Sequence, residues 1–316
     1  MENSHATRCD EMTAQFATAT AALPGLIPYD NPRPMHVRGE FDGVSLATFL
    51  RALHPHVALE TWVARAEAHS LTLGGAPVTD FEVRVRAGNE VVHLERGVVE
   101  PVVATDLRFV YADDAVSVVE KPAPMPVHPS GRYNKHSMIS LLNHVFLDRA
   151  HLPVHRLDAD TSGLVIVAHS KVAARNLARQ FEARTVRKTY LARVRGSVEF
   201  NYFQSHAPVS KRPSQEGRRE VDVEGQRAWT EFRVRARETD ATLLEVTPHS
   251  GRTNQIRIHL ASEGTPIVGD DAYGAGASMK SGSSSLHLHA WRLGFEHPMT
   301  AAPMDVQARL PAWAGG

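Results

Sequence analysis

The 316-residue chain contains a single cysteine, Cys9, so it cannot form an internal disulfide and is typical of proteins from a reducing compartment. It has no run of about 18 apolar residues, which excludes an ordinary membrane-spanning helix. Its N-terminus lacks a basic segment followed by an apolar stretch, so no secretory signal is predicted. We therefore expect a cytoplasmic protein with no membrane partner.

Sequence patterns that bind metals are also missing. The 18 histidines are scattered along the chain, and neither a His-Glu-x-x-His motif nor a pair of cysteines is present. We therefore expect that the protein requires no metal.

An excess of charge of either sign is absent as well, because 35 Lys/Arg residues balance 35 Asp/Glu residues. Zero net charge argues weakly against a nucleic-acid partner, but the distribution is uneven. Residues 171–219 contain 12 Lys/Arg and 3 Asp/Glu, whereas residues 1–100 contain 8 and 13. Charge alone leaves two interpretations of the basic stretch, a solvated surface or a patch that contacts phosphates.

The most informative stretch is residues 155–163, His-Arg-Leu-Asp-Ala-Asp-Thr-Ser-Gly, which leads into the apolar run Leu164–Ala168. That run predicts a buried strand, so Asp158 is expected in a turn beside a rigid element. The residues by themselves leave two possibilities open. Asp158 is either an ordinary turn residue or a catalytic carboxylate whose ionised form is stabilised by Arg156 or another arginine.

Residues 155–164 resemble the signature of the RluA-type pseudouridine synthases. Three later stretches resemble further motifs of that family in the same order. They are the tyrosine motif at 187–192 (Arg-Lys-Thr-Tyr-Leu-Ala), the arginine motif at 250–260 and the following segment at 264–270 and 273–274. Four ordered motifs are far more specific than one. The chain departs from the family pattern at Asn254, where the family usually has histidine. We therefore expect the hydrogen bonds around this position to differ from those of the family.

The resemblance implies an RNA pseudouridine synthase that isomerises uridine in large-subunit ribosomal RNA or tRNA without a cofactor. By the same resemblance, Asp158 is the catalytic carboxylate, Arg252 pairs with it, and Tyr190 stacks on the uracil. The implied substrate- or RNA-binding residues are Arg132, Arg156, Thr161, Lys188, Arg257 and His259.

Two other functions remain as alternatives. A non-catalytic RNA-binding or ribosome-assembly factor on the same scaffold has no chemical need for Asp158, Tyr190 and Arg252 together. A nucleoside hydrolase would use a carboxylate but would release free base. A monomer is the expected state, and Trp229 is expected in the core.

Many short strands interleaved with a few helices predict an α+β fold with one mixed, mainly antiparallel sheet and flanking helices. We expect a loosely packed arm at 1–37 and a small α/β module at 38–95, which resembles an RNA-binding module of some ribosomal small-subunit proteins. A linker at 96–106 and a catalytic domain at 107–316 follow. The Gly/Ser-rich residues 275–285 predict a flexible loop.

Overall fold

The computed structural model describes residues 2–214, 218–274 and 285–315. Two compact units are present, one at Gly25–Glu100 and one formed by Met1–Pro24 with Pro101–Gly316. Residues 275–284 of the predicted flexible loop lie outside the described residues. In the part of the chain that the structure describes, no helix is long and apolar enough to cross a membrane.

The chain begins with helix α1 (Glu2–Ala19), which belongs to the larger unit. Its apolar residues recur every three or four positions, so they share one face of the helix. Three of them are buried in a cluster with Phe109 of the sheet, namely Cys9, Met12 and Phe16. The Phe109 amide also donates a hydrogen bond to Thr13 Oγ1 at 3.0 Å. The start of the chain is therefore packed, unlike the loose arm predicted for residues 1–37.

The smaller unit pairs four antiparallel strands in the order β1–β4–β2–β3 and packs two helices on them. Its elements are β1 (Tyr29–His36), a 3-10 turn (Gly39–Phe41), α2 (Leu46–Leu53), α3 (Leu59–Glu67), β2 (Leu71–Leu73), β3 (Ala76–Pro77) and β4 (Glu90–Val98). The Ser45 hydroxyl accepts a hydrogen bond from the Thr48 amide and caps α2. Because β1 pairs with β4, the unit extends beyond the module predicted at 38–95 and takes in part of the predicted arm.

The larger unit contains a ten-stranded sheet. Its remaining elements are β5 (Arg108–Ala112), β6 (Val116–Lys121), α4 (Met138–Val145), β7 (Leu152–Pro153), β8 (Ser162–Ala168), α5 (Lys171–Glu182), β9 (Arg187–Arg195), β10 (Tyr202–Ser205), β11 (Thr230–Arg237), β12 (Ala241–Pro248), α6 (Gln255–Ser262), β13 (Leu288–Glu296), β14 (Pro303–Gln307) and a 3-10 turn (Ala312–Ala314). The main order is β10–β11–β12–β9–β13–β8–β6–β5, with β14 on β13 and β7 on β8. Among the described strands only β13 and β8 pair in parallel, so the predicted mixed, mainly antiparallel α+β fold is confirmed.

Strand β8 lies inside the sheet and is covered on both faces. Val165 and Val167 pack in the cluster that contains α1 and α4, whereas Leu164 and Ile166 pack in the cluster that contains α5. A strand buried on both faces reads as a continuous apolar run rather than an alternating one. The turn that holds Asp158 is therefore attached to a strand that is buried on both faces.

We expect Phe16→Ala to destabilise the protein by about 3–5 kcal/mol, because the Phe16 ring is fully buried between α1 and the sheet. Phe200→Ala is the matched control, since that ring is 69% exposed and its loss should change stability by less than about 0.5 kcal/mol. Chemical denaturation monitored by circular dichroism measures both. Equal stability of the two variants would show that α1 does not pack on the sheet.

Candidate active site

Asp158 lies in a tight turn before β8, where the Thr161 amide donates a hydrogen bond to the Asp158 carbonyl at 3.1 Å. His155, at the start of the same motif, is fixed by its surroundings. Its Nε2 accepts a hydrogen bond from the Ile166 amide at 2.9 Å, and its ring stacks on Phe181. Burial lowers the pKa of His155 to about 3, so the ring stays neutral and serves to hold the turn against β8.

Gly163 of the motif is required by the contact between β8 and β13. It pairs with Ala290 in the parallel ladder and has a φ of +113°, which side chains rarely adopt. A Cβ atom on Gly163 would lie 2.3 Å from the Ala290 carbonyl oxygen. Because Gly163 follows the Asp158 turn closely in the chain, this close approach holds the turn beside β13, a strand inside the sheet.

The Asp158 carboxylate forms an ion pair with Arg257, whose Nη1 lies 3.9 Å from Asp158 Oδ2. Arg257 is held from behind by a bidentate ion pair with Asp270, with two N–O distances of 2.8 Å. Its Nη1 also donates to Asn254 Oδ1 at 3.3 Å. Although burial opposes the charge of Arg257, the hydrogen bonds from Arg257 to Asp270 raise its pKa. The guanidinium is therefore a fixed positive charge that faces Asp158.

The prediction that Arg252 pairs with Asp158 is wrong. Among the described residues, Arg257 rather than Arg252 has an ion pair with that carboxylate, and Arg252 Nε donates to the Arg227 carbonyl at 3.3 Å. The reason is the start of α6. Asn254 adopts the left-handed conformation there, so Arg252 stays outside the helix whereas Arg257 lies in its first turn. Asn254, the departure from the family pattern, tolerates this backbone and also binds Arg257.

Tyr190 lies where the sheet forks. Strands β9 and β12 pair up to Tyr190 and Val246, beyond which β9 continues beside β13 while β12 continues beside β11. A cleft of about 1010 Å³ opens in this region, and its walls include Asp158, Thr161, Lys188, Tyr190, Arg252 and Arg257. The fork thus brings the predicted carboxylate, aromatic ring and arginines around one space large enough for a nucleotide.

The cleft perturbs the ionisation of its two central groups. Burial raises the pKa of Asp158 above the ordinary value, while Arg257, Arg156 and Lys121 act in the opposite direction. Burial, followed by the nearby charge of Asp158, raises the pKa of Tyr190. The phenol therefore remains protonated at neutral pH, and Asp158 is the group of this pair that ionises.

Lys121 is a member of the site that the sequence did not reveal. Its side chain is fully buried behind the Asp158 turn, where Nζ donates to the carbonyls of Pro122, Met125 and Ala159 at 2.7–3.2 Å. Burial lowers its pKa to about 7, against the charges of Asp160 and Asp158. The Lys-Pro pair at 121–122 was the available signal, but nothing local to it indicates burial.

The other predicted binding residues divide into two groups. Arg156, Thr161 and Lys188 line the cleft. Thr161 is 2% exposed, and its Oγ1 has no hydrogen-bond partner among the described residues. Arg132 is exposed, contacts the Tyr133 ring and is not part of the cleft wall. The prediction that His259 contacts RNA is wrong, because it is fully buried between Thr230 Oγ1 and the Ala207 carbonyl.

The known proteins that are similar to this chain are pseudouridine synthases. A family profile described as RNA pseudouridylate synthase matches residues 115–262. The chain is 37% identical over 220 residues to an uncharacterized RNA pseudouridine synthase of Aquifex aeolicus, covering 65% of this chain and 70% of that protein. It is also 37% identical over 219 residues to ribosomal large subunit pseudouridine synthase D of Nitrosomonas europaea, covering 66% of this chain and 63% of that protein.

The chain belongs to the RNA pseudouridylate synthase family. It is therefore an enzyme that isomerises uridine to pseudouridine in RNA. The synthase is also similar to the solved structure titled human RNA pseudouridylate synthase domain containing 1, with 26% identity and a TM-score of 0.57. That alignment covers 67% of this chain and 86% of the human one. Within the described residues of the synthase, no three His, Cys, Asp or Glu side chains are grouped as metal ligands.

We expect Arg257→Lys to move the acidic limb of the synthase's pH–rate profile to higher pH. Lysine offers one ammonium group where arginine serves both Asp270 and Asp158, so Asp158 loses part of the positive charge that lowers its pKa. A carboxylate with a higher pKa is protonated earlier as the pH falls. Single-turnover rates measured across the acidic range test this expectation, with a loss at neutral pH on the order of tenfold.

The matched control is Arg252→Lys, which should leave the acidic limb in place because Arg252 contacts the Arg227 carbonyl. Movement of the limb in this control but not in Arg257→Lys would reverse the assignment of the two arginines.

Proposed function

We propose that Asp158 is the reactive carboxylate of this synthase and that its substrate is uridine in the RNA of the large ribosomal subunit. One observation carries the assignment of Asp158. A single cleft brings its carboxylate next to the fixed guanidinium of Arg257 and within electrostatic range of Tyr190.

The reaction breaks the bond between uracil N1 and ribose C1′, turns the base and forms a bond between C5 and C1′. The proton on C5 is lost and N1 gains one, so atoms and charge balance and the isomerisation requires no cofactor. A carboxylate can attack C1′, attack the base or accept the C5 proton. Each of these roles requires the ionised form, which the positive charge of Arg257 favours.

In this proposal Tyr190 packs against the uracil with its hydroxyl protonated. Its ring is half-buried between two apolar clusters, so it presents a rigid surface at the fork. Thr161 is a candidate contact for the base or ribose, because its buried hydroxyl is still available for a hydrogen bond. These groups would fix the uracil while Asp158 acts on it.

A uridine in folded RNA must leave its stack to reach the cleft, which costs a few kcal/mol. Contacts with the RNA backbone can offset this cost. Besides Arg257, the cationic side chains that line the cleft are Arg156, Arg184, Arg187, Lys188 and Arg252. Helix α5 adds an exposed row formed by Lys171, Arg175 and Arg179. We therefore assign part of the basic stretch 171–219 to phosphate binding.

The choice of ribosomal RNA is supported by the relative from Nitrosomonas europaea, whose name assigns it to the large ribosomal subunit. Transfer RNA is the competing substrate and forms a separate arm of the test. A ribosomal substrate would place the synthase in the cytoplasm, and a monomer remains the proposed state.

We expect Asp158→Asn to abolish turnover while RNA binding is retained, because the amide keeps the shape of the side chain but cannot supply a carboxylate. The measurement is release of tritium from RNA labelled at C5 of uracil, since that hydrogen leaves when C5 joins the sugar. Unmodified large-subunit ribosomal RNA and tRNA are assayed separately, and ribosomal RNA is expected to react.

Asp160→Asn is the matched control, because Asp160 is an exposed carboxylate two residues further along the same turn. It should release tritium at nearly the rate of the unaltered protein. Release by Asp158→Asn would contradict the assignment of Asp158, and release from tRNA alone would contradict the choice of ribosomal RNA. Free uracil among the products would favour a hydrolase.

A further inference from the structure

Three aromatic rings lie side by side where β10 and β12 end and β11 begins. The register pairs Ser205 with Thr230 and Thr230 with Pro248, so the next cross-strand neighbours are His206, Trp229 and His249. The His206 and Trp229 ring centroids are 5.6 Å apart with planes at 16°, and those of Trp229 and His249 are 3.7 Å apart with planes at 19°. We call these three residues the ring row.

The ring row lies at the surface, which differs from the core position expected for Trp229. Trp229 is 38% exposed and His206 is exposed. The row is nonetheless held firmly. Trp229 Nε1 donates to Gln204 Oε1 at 3.1 Å, and its amide donates to Ser250 Oγ at 3.0 Å. A surface of rings that is already ordered loses little entropy when it binds another ring.

The ring row adjoins the catalytic cleft. Trp229 and His249 form part of the cleft wall that also contains Tyr190. All three rings also line a second cavity of about 530 Å³, together with Arg184 and Arg227. Arg184 lines both cavities. Aromatic faces combined with arginines are the combination by which proteins hold single-stranded nucleic acid.

We propose that the ring row is a subsite that stacks the base of an unpaired nucleotide next to the target uridine, with Arg184 and Arg227 contacting the adjoining phosphates. This inference rests on the proposed function, since it concerns the RNA strand that enters the same cleft. When a uridine leaves its stack, a neighbouring base loses a stacking partner. A base that stacks on the ring row regains that contact and holds the strand open.

The simpler explanation is that the three rings only stabilise neighbouring strands as cross-strand pairs. That explanation predicts a loss of folding stability in ring variants but no dependence of binding on the presence of a base. The decisive comparison is therefore between RNA with and without flanking bases.

The test uses the full chain carrying Asp158→Asn, so that bound RNA is not converted. The probe is a fluorescein-labelled oligouridylate of about nine nucleotides, within the range of single-strand site sizes. Its partner probe has the same length and one central uridine, with abasic ribose at every other position. Fluorescence anisotropy gives both dissociation constants.

We expect the parent protein, which is the full chain carrying only Asp158→Asn, to bind the oligouridylate about tenfold more tightly than the abasic probe. A difference of this size is typical of one stacked base. Adding Trp229→Ala or His206→Ala should reduce this ratio to about one, whereas adding Phe200→Ala should leave it unchanged. Phe200 is an exposed ring that lines neither cavity. Thermal melting verifies that each variant is folded. If the variant with Trp229→Ala does not fold, the variant with His206→Ala provides the test.

A ratio of about one in the parent, a ratio that persists in both ring variants or no binding of the oligouridylate would each overturn the subsite. Failure of the proposed function is distinguishable, because it would appear as absent tritium release from the unaltered protein whatever the anisotropy ratio.

Discussion

The buried ion pair between Arg257 and Asp270 is the interaction on which the site depends. Its arginine comes from α6 and its carboxylate from the segment that follows, and the Asp270 side chain has no exposed surface. Removing one partner of such a pair leaves an unpaired buried charge and typically costs about 3–5 kcal/mol. The same guanidinium faces Asp158, so the contact that stabilises this part of the fold also sets the electrostatics of the proposed reaction.

The site balances burial against charge. Burial disfavours the ionised form of Asp158, yet it also strengthens the field that Arg257 exerts on that carboxylate. Lys121 donates hydrogen bonds to three backbone carbonyls behind the turn, and its charge also acts to lower the pKa of Asp158. Tyr190, in contrast, has no cation among the causes of its shift and stays protonated. Within one cleft, nearby cations therefore favour the ionised form of Asp158, whereas Tyr190 stays neutral.

The fork in the sheet explains why the chemistry and the proposed RNA contacts share one place. Strand β9 leaves β12 at Tyr190, which opens the cleft, while β10, β11 and β12 remain paired and present the ring row beside it. Strands hold their side chains at fixed spacings, so rings on adjacent strands stack without help from a ligand. In the proposed function, a rigid scaffold of this kind would position both the target base and its neighbour.

The sequence by itself determined the family, the α+β class, the buried strand after Asp158 and the motifs that contain Asp158 and Tyr190, two residues that line the same cleft. These features are encoded locally, in ordered motifs and in the apolar run Leu164–Ala168. It did not determine which arginine faces Asp158, because Arg252 and Arg257 lie in one motif and their separation depends on the left-handed residue Asn254.

Only the tertiary structure decided that α1 packs on the sheet, that His259 and Lys121 are buried and that Trp229 is exposed. Each of these outcomes depends on partners distant in sequence, as with Phe109 against α1 or Ala207 against His259. Burial is a property of the assembled surface, so no pattern within one segment specifies it.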